Sequence, residues 1–412
     1  MSDRPIKILM HLHRPPIPVD GGDKQRLMGI LNYFSDRRDS LIVDGFGGNT
    51  PGKIEWQEQD IVQIAPYFRN FWVYQGQKDL FDFVYSRSQS FYYQKILWRQ
   101  LPIDTDYFAP PNYVRFVKQI VTADDYDYLW LNYLEYAALG INLSKDLPIK
   151  ILIDIHDLAC QGRLAITEID YLQKLKFDYD RNLIKELKLL SKFNKIIVNS
   201  LAEIDVLKAS IPGSKLALIP HLLPIKQSNP TISYQSRKFA YDLLFVGTGR
   251  IPNLNAMNFF LQDIFPQVIA QKPDVVLALV GSIAKALNIP AKFSANIICL
   301  DYVPDLSKVY LSSRLVICPL LQGAGTKVKL QEALAYALPI VTTTVGASGL
   351  RLNNSQNAYI SDLSSEFATS ILKLLNNEKL CQEFSLAAAQ TFQEHYSTAR
   401  IYSELDKLFT EH

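Results

Sequence analysis

Residues 315–350, LVICPLLQGAGTKVKLQEALAYALPIVTTTVGASGL, contain a complete supersecondary unit. The apolar run 315–318 ends at Pro319, which is the length and boundary of a strand buried on both faces. Gly323 and Gly325 loosen the turn that follows. Apolar residues then recur at helical spacing over 328–336, and a second apolar run, 340–343, reads as another strand. Strand, glycine turn, helix, strand is the unit from which parallel sheets are built.

The same alternation runs outward from this unit. Residues 241–246, 275–280, 297–300 and 358–360 read as strands and 253–269 as a helix, with helix again from there to the C-terminus. A polar stretch containing Pro230, residues 226–237 (KQSNPTISYQSR), reads as a linker. Before it, 6–12, 41–44, 128–131, 149–155 and 195–199 read as strands of an earlier series. Helices are expected over 23–34, 113–121 and within 164–190. The expected class is α/β, with two Rossmann-like doubly wound domains at 1–225 and 241–395. A linker at 226–240 joins them, and a C-terminal helix covers 396–412. Ligands of such sheets sit beyond the carboxyl ends of the strands, which directs attention to a cleft between the domains.

Composition narrows the functional classes. The chain has 412 residues, 48% hydrophobic and 20% charged, so it can bury two cores and does not read as disordered. Net charge is +2, with both halves near neutral, which makes nucleic acid a poor partner. Cys160, Cys299, Cys318 and Cys381 show no CxxC spacing and read as buried, reduced thiols. No His/Cys/Asp cluster has metal-ligand spacing, so no metal is expected. The N-terminus, MSDRPIKILMHLHR, lacks a signal-peptide apolar stretch, and no apolar run approaches the roughly 18 residues of a membrane span. A cytoplasmic protein is expected.

The glycine turn carries the chemistry. Glycines let backbone N–H groups approach an anion, and the helix start that follows adds a favourable dipole. Lys329 would supply a point charge for phosphate. Glu332 follows it by three positions on the same helix face. The plain alternative is a turn followed by an exposed Glu–Lys pair.

This segment resembles the donor-binding signature of the family-four retaining glycosyltransferases of GT-B fold. More narrowly, it is similar to their branch with a Gly-x-Gly-Thr-x-x-Lys-x-x-Glu-Ala pattern, met here as Gly323, Gly325, Thr326, Lys329, Glu332 and Ala333. The resemblance implies two facing domains, with C-terminal helices crossing back to the first. It implies transfer of a sugar, with retention, from a nucleotide-sugar donor to the hydroxyl of a carbohydrate or lipid-linked acceptor, as in polysaccharide biosynthesis. Glu332 would hold the ribose hydroxyls, while the loop amides, Thr326 and Lys329 face the diphosphate without a metal. There is one departure: the acid that many members carry before this glutamate is replaced by Ala324.

Other segments fit the same resemblance. Phe245-Val246-Gly247 and Arg250-Ile251-Pro252-Asn253 resemble the family's first C-terminal strand and loop, where Arg250 would meet the diphosphate. Residues 301–306, DYVPDL, resemble the loop whose backbone reads the base. In the first half, Gly21 and Gly22 open a helix after the first strand, suited to a phosphate or sugar. His156 ends another strand, where family members place a histidine near the reacting carbon of the sugar; the alternative is a structural histidine, and Asp157 could orient it. His11 and His13 read as structural or acceptor-side. Residues 71–99 mix aromatics with Lys95 and Arg99: a core-facing helix first, and otherwise a carbohydrate contact or a peripheral contact with the inner face of the membrane. Two other functions fit the same fold, a nucleotide-sugar epimerase and a non-catalytic sugar-nucleotide binder.

Overall fold

A computed structural model describes residues 4–19, 21–49, 55–76, 80–97, 105–166, 178–224, 234–323 and 325–410. The chain divides into two compact units, Met1–Leu223 with Tyr402–His412, and Pro224–Ile401.

The first unit holds a seven-stranded parallel sheet: β1 Ile6–His11, β2 Leu41–Gly48, β3 Phe71–Tyr74, β4 Tyr128–Asn132, β5 Lys150–Asp154, β6 Lys195–Val198 and β7 Leu216–Leu218, in the order β3-β2-β1-β4-β5-β6-β7. Its central strands are apolar at consecutive positions because helices cover both faces; Ile8, Leu9, Met10, Leu129, Trp130 and Leu131 are all fully buried. The two edge strands, β3 and β7, escape a sequence reading. They are four and three residues long, FWVY and LAL, and runs so short are not distinguished from a turn of helix or a loop by their apolar character alone.

The second unit repeats the plan with six strands: β8 Tyr241–Val246, β9 Leu277–Val280, β10 Ile297–Leu300, β11 Ser313–Cys318, β12 Ile340–Thr342 and β13 Tyr359–Ile360, ordered β10-β9-β8-β11-β12-β13. In each sheet the winding reverses between the first and fourth strands, β1 and β4 in one, β8 and β11 in the other. That reversal opens a crevice at the carboxyl ends of the strands, where α/β sheets bind ligands.

Two sequence expectations change. Residues 71–99 do not make a core-facing helix: they begin with β3, and the helix Leu80–Phe91, continued by a π turn at Tyr92–Ile96, turns its apolar residues outward. Cys299 lies exposed on edge strand β10, whereas Cys160, Cys318 and Cys381 are buried. Of the stretch 164–190 expected to contain a helix, the described residues hold the end of the helix Ala159–Ile166 and the helix Tyr179–Leu190; residues 167–177 lie outside the described residues, as do 225–233 of the linker region and Ala324. From Tyr234 onward the linker region packs in the second unit, where the Tyr234 hydroxyl donates to the Arg314 carbonyl at 2.9 Å. Among the described residues, no helix is long and apolar enough to cross a membrane.

The last helix, Thr398–Thr410, ends in the first unit. Tyr33 and Arg37 both donate to the Asp406 carboxylate, at 2.9 and 3.1 Å. Phe409, 3% exposed, packs against the rings of Phe34, Tyr128 and Trp130. Phe409→Ala should therefore destabilise the first unit by about 3–5 kcal/mol, the usual cost of removing a buried ring. Denaturant unfolding of the full chain should show an early transition in the variant; a curve matching wild type would mean that this contact does not hold the helix.

Candidate functional site

In the second unit the crevice is bordered by the segments that follow β8 and β11. After β11 the backbone takes left-handed conformations at Gly323 (φ 147°) and Gly325 (φ 65°), which side-chain-bearing residues rarely adopt. The loop is gripped by Lys327, a buried lysine whose ammonium donates to the carbonyls of Gly325 at 2.7 Å and Gly323 at 3.4 Å. Thr326 sits between the second glycine and this lysine, at the start of the helix Val328–Ala335.

Lys329 projects from that helix to the other side of the crevice. Its Nζ donates to Asn253 Oδ1 at 2.8 Å and lies 4.1 Å from the centroid of the Phe245 ring. Burial pushes its pKa down, and the neighbouring Lys327 charge acts in the same direction. Asn253 belongs to the helix Ile251–Phe259 that follows β8, and its own amide donates to the Thr248 carbonyl at 2.9 Å. One lysine thus joins the two sides of the switch point. Arg250 stands at the start of that helix; its side chain is exposed and has no hydrogen-bond or ion-pair partner among the described residues. The strand ends here approach closely: a Cβ added at Gly281, after β9, would lie 2.5 Å from the Gly247 carbonyl oxygen.

Glu332 is half-buried and receives a hydrogen bond from the Tyr310 hydroxyl at 2.7 Å. Tyr310 is fully buried and stacks on Tyr336 with centroids 4.9 Å apart. Burial, and then the Glu332 charge, push the Tyr310 pKa up, so it stays a phenol and a donor. Lys329 and Glu332 are therefore not an exposed helical pair: each is held by a partner from elsewhere. Lys327 and Tyr310 have no motif signal. The loop 301–306 follows edge strand β10, and Asp305 in it accepts from the Ser307 N–H at 3.0 Å.

In the first unit the carboxyl ends of neighbouring strands β1, β4 and β5 bring three rings together. Tyr133 and His156, each just beyond its strand, have φ of 69° and 57°, and their rings stack with centroids 4.1 Å apart. His13 meets Tyr133 edge-on at 4.4 Å and lies 6.1 Å from His156. Asn132 donates through Nδ2 to the His11 carbonyl at 2.6 Å, which turns Oδ1 toward His156 Nε2 at 3.2 Å. An amide oxygen only accepts, so Nε2 carries the hydrogen. Burial, with Arg26, His13 and His221 adding to it, drives the His156 pKa well down; the ring is neutral.

A frame of distant residues fixes this turn. Asn199 donates to the His156 carbonyl at 2.7 Å, and Glu203 accepts from Leu158 N–H at 3.1 Å. Glu186 accepts from the N–H groups of Ala159 and Cys160 at 2.7 and 3.1 Å. Below it, Arg26 forms a buried pair with Asp154 and donates to the Ile219 carbonyl at 2.7 Å. Gly21 and Gly22 open the helix Gly22–Asp36, whose Asp23 pairs with Arg14 and lies 3.8 Å from His13 Nε2. His11 instead belongs to the core, fully buried against Tyr136 and Phe46. Among the described residues, no group of three or more His, Cys, Asp or Glu side chains is arranged to hold a metal ion.

Residues 240–377 match the family model described as glycosyl transferases group 1. The matched stretch lies within the second unit, Pro224–Ile401. A Klebsiella pneumoniae protein described as an uncharacterized 44.6 kDa protein in the cps region is 26% identical over 249 residues, which is 58% of this chain and 60% of that one. The sucrose-phosphate synthase of Thermosynechococcus elongatus has a similar structure, with TM-score 0.67, 15% identity and 98% of both chains covered. So does HepE of Anabaena in complex with UDP and glucose, with TM-score 0.62, 15% identity, and 98% of this chain and 99% of that one covered. At such identities the likeness shows the fold, two doubly wound α/β domains.

The Glu203 carboxyl makes the His156 turn sensitive to pH. Its pKa is raised from 4.5 to about 8, first by burial and then by the Asp157 charge, and its second oxygen has no hydrogen-bond partner among the described residues. The folded chain thus holds a proton that the unfolded chain releases, and this group's contribution to stability falls as pH rises from 4.5 to about 8. Glu203→Gln, permanently neutral, should be close to wild type in stability at low pH and gain on it steadily up to about pH 8. Parallel melting curves of the two proteins across this range check it; a constant difference would show that Glu203 ionises normally.

Proposed function

We propose that this chain is a cytoplasmic glycosyltransferase that moves a sugar from a nucleotide-sugar donor to an acceptor hydroxyl, with retention of configuration, in the assembly of a polysaccharide or glycolipid. The observation that carries the reading is the group 1 domain with its switch-point crevice, where Lys329 is tied to Asn253 and Glu332 to Tyr310. HepE, which was solved with UDP and glucose, supports a nucleotide-sugar donor, and the cps-region relative supports a polysaccharide product.

Each residue has a role in this proposal. The Glu332 carboxylate, oriented by the Tyr310 phenol, accepts from the ribose hydroxyls. The amides of Gly323, Gly325 and Thr326 face the diphosphate, together with Lys329 and the exposed Arg250. As the glycosidic bond breaks, negative charge grows on that diphosphate, and fixed donors stabilise it without reorganising. A divalent metal is then unnecessary. His156, held neutral, serves as a hydrogen-bonding group for the transferred sugar rather than as a cation, and the helix start at Gly21 and Gly22 faces the same ligand. The acceptor is a carbohydrate or lipid-linked hydroxyl.

Many transferases slowly hydrolyse their donors when no acceptor is present, which gives a test without a known acceptor. A panel of nucleotide sugars incubated with the chain in excess EDTA should yield at least one donor from which nucleoside diphosphate is released. His156→Ala should lower that turnover by ~10²-fold, the scale of a lost catalytic group, with much less change in donor binding. Hydrolysis of no donor would overturn the activity. A complete loss in EDTA that Mg²⁺ or Mn²⁺ restores would overturn the metal-free mechanism.

A further inference from the structure

The helix Leu80–Phe91 and its continuation to Ile96 are amphipathic the wrong way round for a core helix. The inward side is polar and tied to the protein. Asp82 accepts from the Tyr74 hydroxyl at 2.7 Å and from the N–H of Tyr113 at 3.2 Å. Ser86 donates to the Tyr107 carbonyl at 3.2 Å, and the Tyr85 hydroxyl donates to Asp106 at 2.7 Å. The outward side is apolar: Leu80 is 76% exposed, and Phe81 and Phe91 are 61% exposed. Leu80, Val84 and Phe91 follow the helical period on one face, with Phe81 and Phe83 flanking them, so the apolar residues form one stripe rather than scattered single contacts.

Charge follows the same division. The helix has one acid, Asp82, and it points inward; the basic residues Arg87 and Lys95 are exposed among the aromatics, Arg87 lying 5.3 Å from the Phe83 ring centroid. Beside the stripe runs a groove of 870 Å³ between this helix and the body of the first unit, with Ile96, Ile141 and Leu189 among its walls and Lys192 on its lining, together with the Asp106 that Tyr85 holds. An exposed aromatic stripe set with cations, on a helix whose one acid is turned inward, complements a surface that is apolar inside and anionic at its boundary.

We propose that this helix is a docking surface for an anionic phospholipid membrane, lying in the plane of the headgroups with Leu80, Phe81 and Phe91 entering the acyl boundary and Arg87 and Lys95 at the phosphates. Its polar inward face explains how the helix stays attached while its apolar residues are given to the lipid. The surface lies in the first unit and stands independently of the donor-site reading.

The test is co-sedimentation of the full chain with vesicles of phosphatidylcholine alone or mixed with phosphatidylglycerol. Wild type should pellet with the mixed vesicles and much less with the neutral ones, and added salt should weaken binding. Phe81→Ser with Phe91→Ser, and separately Arg87→Glu with Lys95→Glu, should each reduce partitioning by roughly tenfold or more. All four side chains are exposed, so melting temperature and nucleoside-diphosphate binding should hold, which separates loss of docking from loss of fold or donor site. Equal pelleting with both vesicle types, or variants that bind like wild type, would overturn the proposal. So would a concentration-dependent dimer dissolved by the same substitutions, which would assign the stripe to a second copy of the chain.

Discussion

The contact between the Lys329 ammonium and Asn253 Oδ1, 2.8 Å long, joins the two strand ends that border the crevice in the second unit. A lysine there loses solvation, and the loss is offset by the amide oxygen and by the face of the Phe245 ring. The arrangement has a consequence for anion binding. A charge already removed from water and held by neutral partners interacts more strongly with an incoming diphosphate than a solvated surface lysine would. Lys327 does a different job with the same chemistry: its charge is directed at the Gly323 and Gly325 carbonyls and shapes the loop. Two lysines two residues apart thus divide between shaping the glycine loop and joining the strand ends.

The first unit solves a related problem with strain. Left-handed backbone at Tyr133 and His156 costs on the order of 1–3 kcal/mol at each residue, and such conformations persist only where their surroundings over-determine them. The surroundings of His156 are Asn199 on its carbonyl, Glu203 on the Leu158 N–H and Glu186 on the N–H groups of Ala159 and Cys160. The ring stack places both side chains at the carboxyl ends of adjacent strands, the position at which doubly wound sheets present functional groups.

The architecture was legible in the sequence wherever burial on both faces left an unbroken apolar run, as at Leu315–Cys318 or Leu129–Leu131. Edge strands β3 and β7 were not, because apolar runs of four and three residues are too short to mark a strand. The glycine turn and the Lys329–Glu332 spacing could be read as a pattern, but their partners could not. Tyr310 lies 22 residues from Glu332, and Asn253 lies 76 residues from Lys329, so only the folded chain brings them together. The helix from Leu80 misleads for a physical reason. Its aromatic content resembles a core face, yet Asp82 and Ser86 have hydrogen-bond partners inside, and satisfying them turns the rings to solvent. Cys299 fails in the same way, being apolar in character but placed on an edge strand.

The central claim is that the crevice between β8 and β11 is a nucleotide site with Glu332 at the ribose. Calorimetric titration of a nucleoside diphosphate into wild type, Glu332→Gln and Glu332→Ala tests it most directly. Hydrogen bonds to a charged group contribute roughly 1.5–3 kcal/mol each, so losing two of them should weaken binding by about a hundredfold or more in the alanine variant. Glutamine keeps one acceptor oxygen and should fall between. The loss should be the same for the diphosphate as for the complete sugar donor, because the contact is to ribose. Equal affinities in all three proteins would contradict the account and leave Glu332 as a partner of Tyr310 alone.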